Sequence, residues 1–198
     1  MARMTERTAK TLYDPAYDRD SCGFGLIANL DDIPSHWVVK TAISALARLT
    51  HRGAVAADGK TGDGCGLLIK LPKEFLRTVG EELGFNISER FAAGSVFLSQ
   101  DDAVADAARR VINDAVTEIG LEVAGWRQVP IEPSACGEQA LATLPRIEQI
   151  YVNAPDKMPR GRFNRRLFLA RRRAENRIAD AETYISSLSS VTMSYKGM

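Results

Sequence analysis

The chain has 198 residues, enough to bury one core, and its 26 basic and 25 acidic residues leave a formal charge of +1. That balance provides no field to draw in nucleic acid or an anionic membrane, and no run of ~18 apolar residues provides a membrane span. Three cysteines without a CxxC and two isolated histidines argue against a disulfide framework and against a metal centre.

In chain order, residues 1–21 read as a polar, proline-interrupted leader. Its basic residues Arg3, Arg7 and Lys10 lack the apolar segment of a secretory signal, so a reducing, cytoplasmic setting is expected. Cys22 follows, and residues 24–29 read as a buried strand ended by Asp31-Asp32-Ile33-Pro34-Ser35. Ser35 suits a helix cap, its hydroxyl accepting from a first-turn amide. Val38, Val39, Ala42, Ile43, Leu46 and Leu49 recur at helical spacing, with Gly53 as the breaker. Residues 54–66 are a loop and 66–71 a strand, and a helix then opens with Pro72 in its first turn.

Another strand is predicted over residues 92–98. Asp101 or Asp102 caps a long helix carrying Val104, Ala107, Ala108, Val111, Ile112, Ala115 and Ile119. Strands follow over 121–130 and 147–152, then a basic helix over about 167–181. Residues 184–188 and 191–195 are two strands that can pair as a terminal hairpin. Seven arginines between Arg160 and Arg173 read as a solvated helix face or a surface meeting another domain. Only Phe163 and Phe168 interleave with them, too few for an RNA-stacking platform. The pattern by itself supports mixed α and β structure.

Cys22 stands at the hinge between the leader and an apolar run. One reading makes it a small buried hydrophobe. The other is chemical: removal of the leader would place an α-amine, ordinarily titrating near ~7.7–8.0, on the residue whose thiol ordinarily titrates near ~8.5. One residue would then hold both a base and a nucleophile. The remaining thiols, Cys65 and Cys136, are expected in or near the core.

Three motifs carry a resemblance. They are Asp20-Ser21-Cys22-Gly23-Phe24-Gly25-Leu26-Ile27-Ala28, Leu49-Thr50-His51-Arg52-Gly53-Ala54, and Ala57-Asp58-Gly59-Lys60-Thr61-Gly62-Asp63-Gly64-Cys65-Gly66. In this order and spacing they closely resemble the start of the amidotransferase domain of the glutamate synthase large subunit, a class II, N-terminal-nucleophile (Ntn) glutamine amidotransferase. Thr11-Leu12-Tyr13-Asp14-Pro15-Ala16 fits that family's propeptide. Leu144-Pro145-Arg146-Ile147-Glu148-Gln149 and Ser194-Tyr195-Lys196-Gly197-Met198 are similar to it as well.

The resemblance implies an α+β fold, the four-layer α/β/β/α Ntn-hydrolase sandwich, incomplete at its C-terminal side. Residues 1–21 would be a propeptide-like leader and 22–198 the N-terminal part of the amidotransferase domain. Cys22 is implied as nucleophile and, through its freed α-amine, as base, with Arg52 supporting it from nearby. Glutamine is the implied substrate, hydrolysed to glutamate and ammonia for glutamate synthesis from 2-oxoglutarate. FMN and an iron–sulfur cluster are implied for the full-length enzyme and none for this segment. The implied partners are the remaining glutamate synthase domains and a small subunit, with no nucleic acid and no membrane.

Plainer readings stand beside these. Arg52 also suits a helix-terminal arginine satisfying free carbonyls. Gly23 and Gly25 leave room at the nucleophile or act as strand-edge kinks. His51 is not needed as a base where an α-amine is available. Gly59-Lys60-Thr61-Gly62 lacks the GxxxxGK[ST] spacing of a phosphate loop, so residues 58–66 are expected as a tight turn beside the active cleft. Cys65 stands where the family usually has alanine and is expected as a small core substitution.

The family's carboxylate-gripping arginine lies in a His-Ser-Arg-Phe-Ser motif and its oxyanion pair in His-Asn-Gly-Glu, both beyond the Tyr-Lys-Gly-Met segment. Neither occurs within residues 1–198. These residues alone are therefore expected to be inactive. The alternatives are a catalytically inactive remnant or a different class II amidotransferase; the leader argues against the latter.

Overall fold

The computed structural model describes residues 23–49, 55–62 and 64–197. Helix α1 (His36–Ala47) begins where expected, the Trp37 N–H donating to Ser35 Oγ at 3.2 Å. Strand β1 (Cys65–Lys70) leads to α2 (Lys73–Glu82), with Pro72 as its N-cap, and on to β2 (Phe91–Leu98). Asp101 rather than Asp102 caps α3 (Asp102–Thr117), its carboxylate accepting from Val104 N at 3.0 Å. Then come β3 (Glu122–Gln128), a 3-10 turn at Pro133–Ala135, the short α4 (Glu138–Ala142) and β4 (Arg146–Asn153). Helix α5 (Arg160–Arg177) and strands β5 (Tyr184–Ser189) and β6 (Thr192–Gly197) follow.

Four strands form one antiparallel sheet in the order β3-β4-β2-β5, and β1 pairs with β6 in a separate antiparallel ribbon. Strand alternation gives the large sheet two apolar faces. On one face Ala92, Val96, Leu98, Ile150, Val152 and Ile185 pack against α3 and α5. Helix α5 meets them with Phe163, Leu167, Ala170 and Ala174, one stripe at helical spacing. On the other face Phe91, Ala93 and Tyr151 pack against Met193 and Tyr195 of the ribbon and Leu76 of α2. Helix α1 lies along the outside of β1. The order of layers is thus helix, sheet, sheet, helix, and the class is α+β.

Polar contacts fix how α3 sits. Arg109 grips Glu148 of β4 in a two-pronged pair at 2.8 and 2.8 Å, and Trp126 Nε1 donates to Asn113 Oδ1 at 2.9 Å. Four of the eight arginines on α5 meet a carboxylate: Arg171 and Arg172 reach Glu175, while Arg173 and Arg177 reach Glu118.

Three expectations are corrected. Residues 24–29 are not a strand, and Phe24 and Leu26 lie in solvent. An apolar run becomes a strand only where a neighbour takes its backbone groups, and no ladder among the described residues includes this segment. The basic helix starts at Arg160, directly after Pro159, and ends at Arg177, earlier than expected. The last two strands do not pair with each other: β5 adds to β2 and β6 to β1. The crossing between sheets is pinned, because Asn164 Oδ1 accepts from Ser190 N and Oγ at 3.1 and 2.9 Å. Ser189 Oγ then accepts from Val191 N at 3.0 Å.

Candidate active site

Cys22 and Arg52, the two residues expected to carry catalysis, lie outside the described residues, as does His51. The described neighbours of Cys22 are open: Gly23 and Gly25 are exposed, and a Cβ on Gly25 would meet nothing within 4 Å. Crowding by the described residues therefore does not explain that glycine.

The glycine-rich loop is a tight turn, as expected. Val55 bridges Gly62, Ala56 N donates to Thr61 O at 2.7 Å, and Gly59 adopts the left-handed conformation at φ 67°. Asp58 organises it. Its carboxylate accepts from Lys60 N at 2.9 Å, from Thr61 N at 2.7 Å and from the Thr61 hydroxyl. Sequence reading missed that this turn also caps a distant helix. Asp58 accepts from the Gln139 amide, and Thr61 Oγ1 from Ala140 N at 3.4 Å, at the start of α4. The N-cap of α4, Gly137, has no side chain to offer, so the loop supplies the acceptors in its place. Any larger residue at 137 would collide, since a Cβ there would sit 2.2 Å from Asp58 Oδ2 and 2.3 Å from Thr61 Oγ1. The Thr61 hydroxyl, followed by these amides, lowers the Asp58 pKa from 3.8 to about 2.

Beyond this lock the loop runs into an open cavity of about 540 Å³. Gly64, Cys65, Gly66 and Lys196 form one side, and Phe97 and Ile147 of the large sheet form another. Residues 131–133, Ala135, Cys136, Leu144 and Pro145 close it, so the walls are mostly apolar. Both described thiols line this cavity. Cys65 is exposed and Cys136 half-buried, which corrects the expectation that they belong to the core. Cys65 begins β1 opposite Gly197, at one end of a ribbon that has two strands among the described residues. Among the described residues no group of three or more His, Cys, Asp or Glu side chains could hold a metal ion.

Comparison with known proteins gives a consistent picture. Residues 22–198 match the family of class-II glutamine amidotransferases. The chain is 38% identical over 193 residues to the ferredoxin-dependent glutamate synthase 1 (chloroplastic/mitochondrial) of Arabidopsis thaliana. It is 38% identical over 196 residues to the glutamate synthase [NADPH] large chain of Azospirillum brasilense and 35% over 193 residues to that of Bacillus subtilis. These alignments cover 94–96% of the chain but only 12–13% of the relatives.

Proposed function

The chain belongs to the class-II glutamine amidotransferases, and from that premise we propose that it is the nucleophile-bearing part of a glutamate synthase amidotransferase domain. The observation that carries this reading is a family match that begins at Cys22 and continues through residue 198. We further propose that residues 1–21 are a leader whose removal frees the Cys22 α-amine. The Cys22 thiolate then attacks the side-chain amide carbon of glutamine. The amine, acting through a water, takes the thiol proton and returns one to the leaving nitrogen. The C–N bond breaks, ammonia departs and a glutamyl thioester remains; water cleaves it to glutamate and restores the thiol. Arg52 supports the thiolate as a nearby positive charge.

The remaining glutamate synthase domains and a small subunit are the proposed partners, and the cytoplasm the proposed setting. No helix among the described residues is long and apolar enough to cross a membrane. The described side chains do not fit an iron–sulfur cluster, for lack of any ligand group. FMN and such a cluster are proposed for other segments of a longer enzyme, and no step here passes through them.

The test uses a protein extended to include the glutamine clamp and purified from its native host. Intact mass should show loss of residues 1–21, and a glutamine-analogue electrophile should label Cys22 ahead of Cys65 and Cys136. Cys22→Ala should remove glutamine-dependent ammonia release. Equal labelling of the three thiols, or an active protein that retains its leader, would sink the reading.

A further inference from the structure

The two halves of α5 treat their arginines differently. In the C-terminal half Arg171 and Arg172 reach Glu175, while Arg173 and Arg177 reach Glu118, the C-cap of α3. Arg177 stands in the last turn, where the helix dipole favours a cation. The N-terminal half has the reverse. Arg160, Arg162, Arg165 and Arg166 meet no carboxylate among the described residues. Arg166 donates to the Gly120 carbonyl at 3.3 Å, an acceptor without a full charge.

That half also runs against the dipole. The first turn of α5 holds no acidic residue, and Pro159 at the N-cap offers no side-chain acceptor. Arg160 and Arg162 therefore stand at the helix end where positive charge is disfavoured. A local conflict that nothing in the fold offsets is the mark of a surface shaped by function.

Helical spacing gathers these charges on one face. Arg162, Arg165, Arg166 and Leu169 follow an i, i+3, i+4, i+7 pattern and so lie side by side. With Gly161 they line one hollow of about 580 Å³. The stripe of Phe163, Leu167, Ala170 and Ala174 faces the sheet instead. Leu169 is 43% exposed and its neighbour Phe168 60%. Arginine beside an uncovered aromatic ring is a composition enriched at protein–protein interfaces. One exposed ring is too little to stack successive bases of a single strand.

We propose that this face of α5 docks an acidic protein surface that belongs to another segment of a longer enzyme. Carboxylates on that surface pair with the planar guanidinium forks of Arg162 and Arg165, and an apolar side chain among them covers Leu169 and Phe168. The chain spans 12–13% of its glutamate synthase relatives, and the docked segment belongs to the remainder. The proposal rests on the reading of this chain as part of a glutamate synthase.

The test is arginine modification by phenylglyoxal, read residue by residue by mass spectrometry. It compares the 198-residue chain with a protein extended through the remaining domains. Arg162 and Arg165 should react in the short chain and lose that reactivity in the long protein. They should regain it in about 1 M salt, where the screening length falls to about 3 Å. Arg162→Glu should restore the reactivity of Arg165 in the long protein. In the short chain the same substitution relieves the dipole conflict, so its Tm should hold or rise. Equal reactivity in the two proteins overturns the proposal. So does protection already present in the short chain, which marks a second copy, or protection that needs added single-stranded RNA. Labelling of Cys22 in the same long protein reports separately on the glutamine-hydrolysing reading, so failure of one is told from failure of the other.

Discussion

Phe163 on α5 and Leu30 ahead of α1 are both large apolar residues, yet the first is 0% exposed and the second 97%. They typify two regions. The large sheet with α3 and α5 closes on itself and buries one continuous cluster. The segment before α1, together with α1 and β1, leaves Leu26, Leu30, Trp37 and Leu68 exposed, and α1 buries no residue. Stability of the described fold therefore resides in the sheet with α3 and α5. The proposed catalytic residues Cys22 and Arg52 flank the described segment 23–49 in the sequence.

The sharpest way to break this comparison is a pair of truncations. Phe163→Ala empties a packed site and should cost about 3–5 kcal/mol in equilibrium unfolding. Leu30→Ala removes a side chain already in water and should stay within about 0.5 kcal/mol. A Leu30 cost approaching that of Phe163 would mean that the N-terminal region is covered in solution.

Two ion pairs repeat the contrast at smaller scale. Glu148 is 8% exposed and holds Arg109 with two bonds, whereas Lys70 and Asp32 meet in the open at 62% and 81%. Glu148→Gln should cost about 1.5–3 kcal/mol, the range for a hydrogen bond to a charged group. Asp32→Asn should cost about 0–1 kcal/mol and lose even that in high salt. Similar costs for the two would show that burial does not set their difference.

Legibility in the sequence followed the same division. Strands β2 and β4 and helix α3 were readable because their periodic apolar positions face a buried layer, and Asp101 marks its helix directly. Residues 24–29 misled because hydrophobicity reports a wish for burial, while strand formation also needs a partner that local sequence does not display. The sheet exchange between β5 and β6 depends on Asn164, twenty-six residues from Ser190, which no local pattern announces. In the candidate site, Cys22 and Arg52 are named from the motifs and the resemblance they carry, and both lie outside the described residues. The shared thiol-lined cavity and the docking of Asp58 on α4 were not legible, because contacts between residues 58 and 139 are invisible to periodicity.

The smallest expected effect concerns that docking, and it is local. Asp58 titrates at about 2 in the folded chain against an ordinary 3.8, because its carboxylate accepts from the Thr61 hydroxyl and from amides on both sides of the contact. A depressed folded pKa means that the contribution is fully present above the unfolded value and is lost as pH falls through the folded one. The window is therefore about pH 4 down to pH 2. Hydrogen exchange at the amides of Lys60, Thr61, Gln139 and Ala140 should be slow above this window and quicken within it, after correction for intrinsic rates. Asp58→Ala should show the fast rates at every pH and almost no change in Tm, because neither this loop nor Gln139 belongs to the buried clusters. Protection that survives in Asp58→Ala would show that Gly137 and the backbone bridge at Val55 hold the contact without the carboxylate. A fall in Tm comparable to that of Phe163→Ala would place this loop in the firm region instead, and redraw the line between the two.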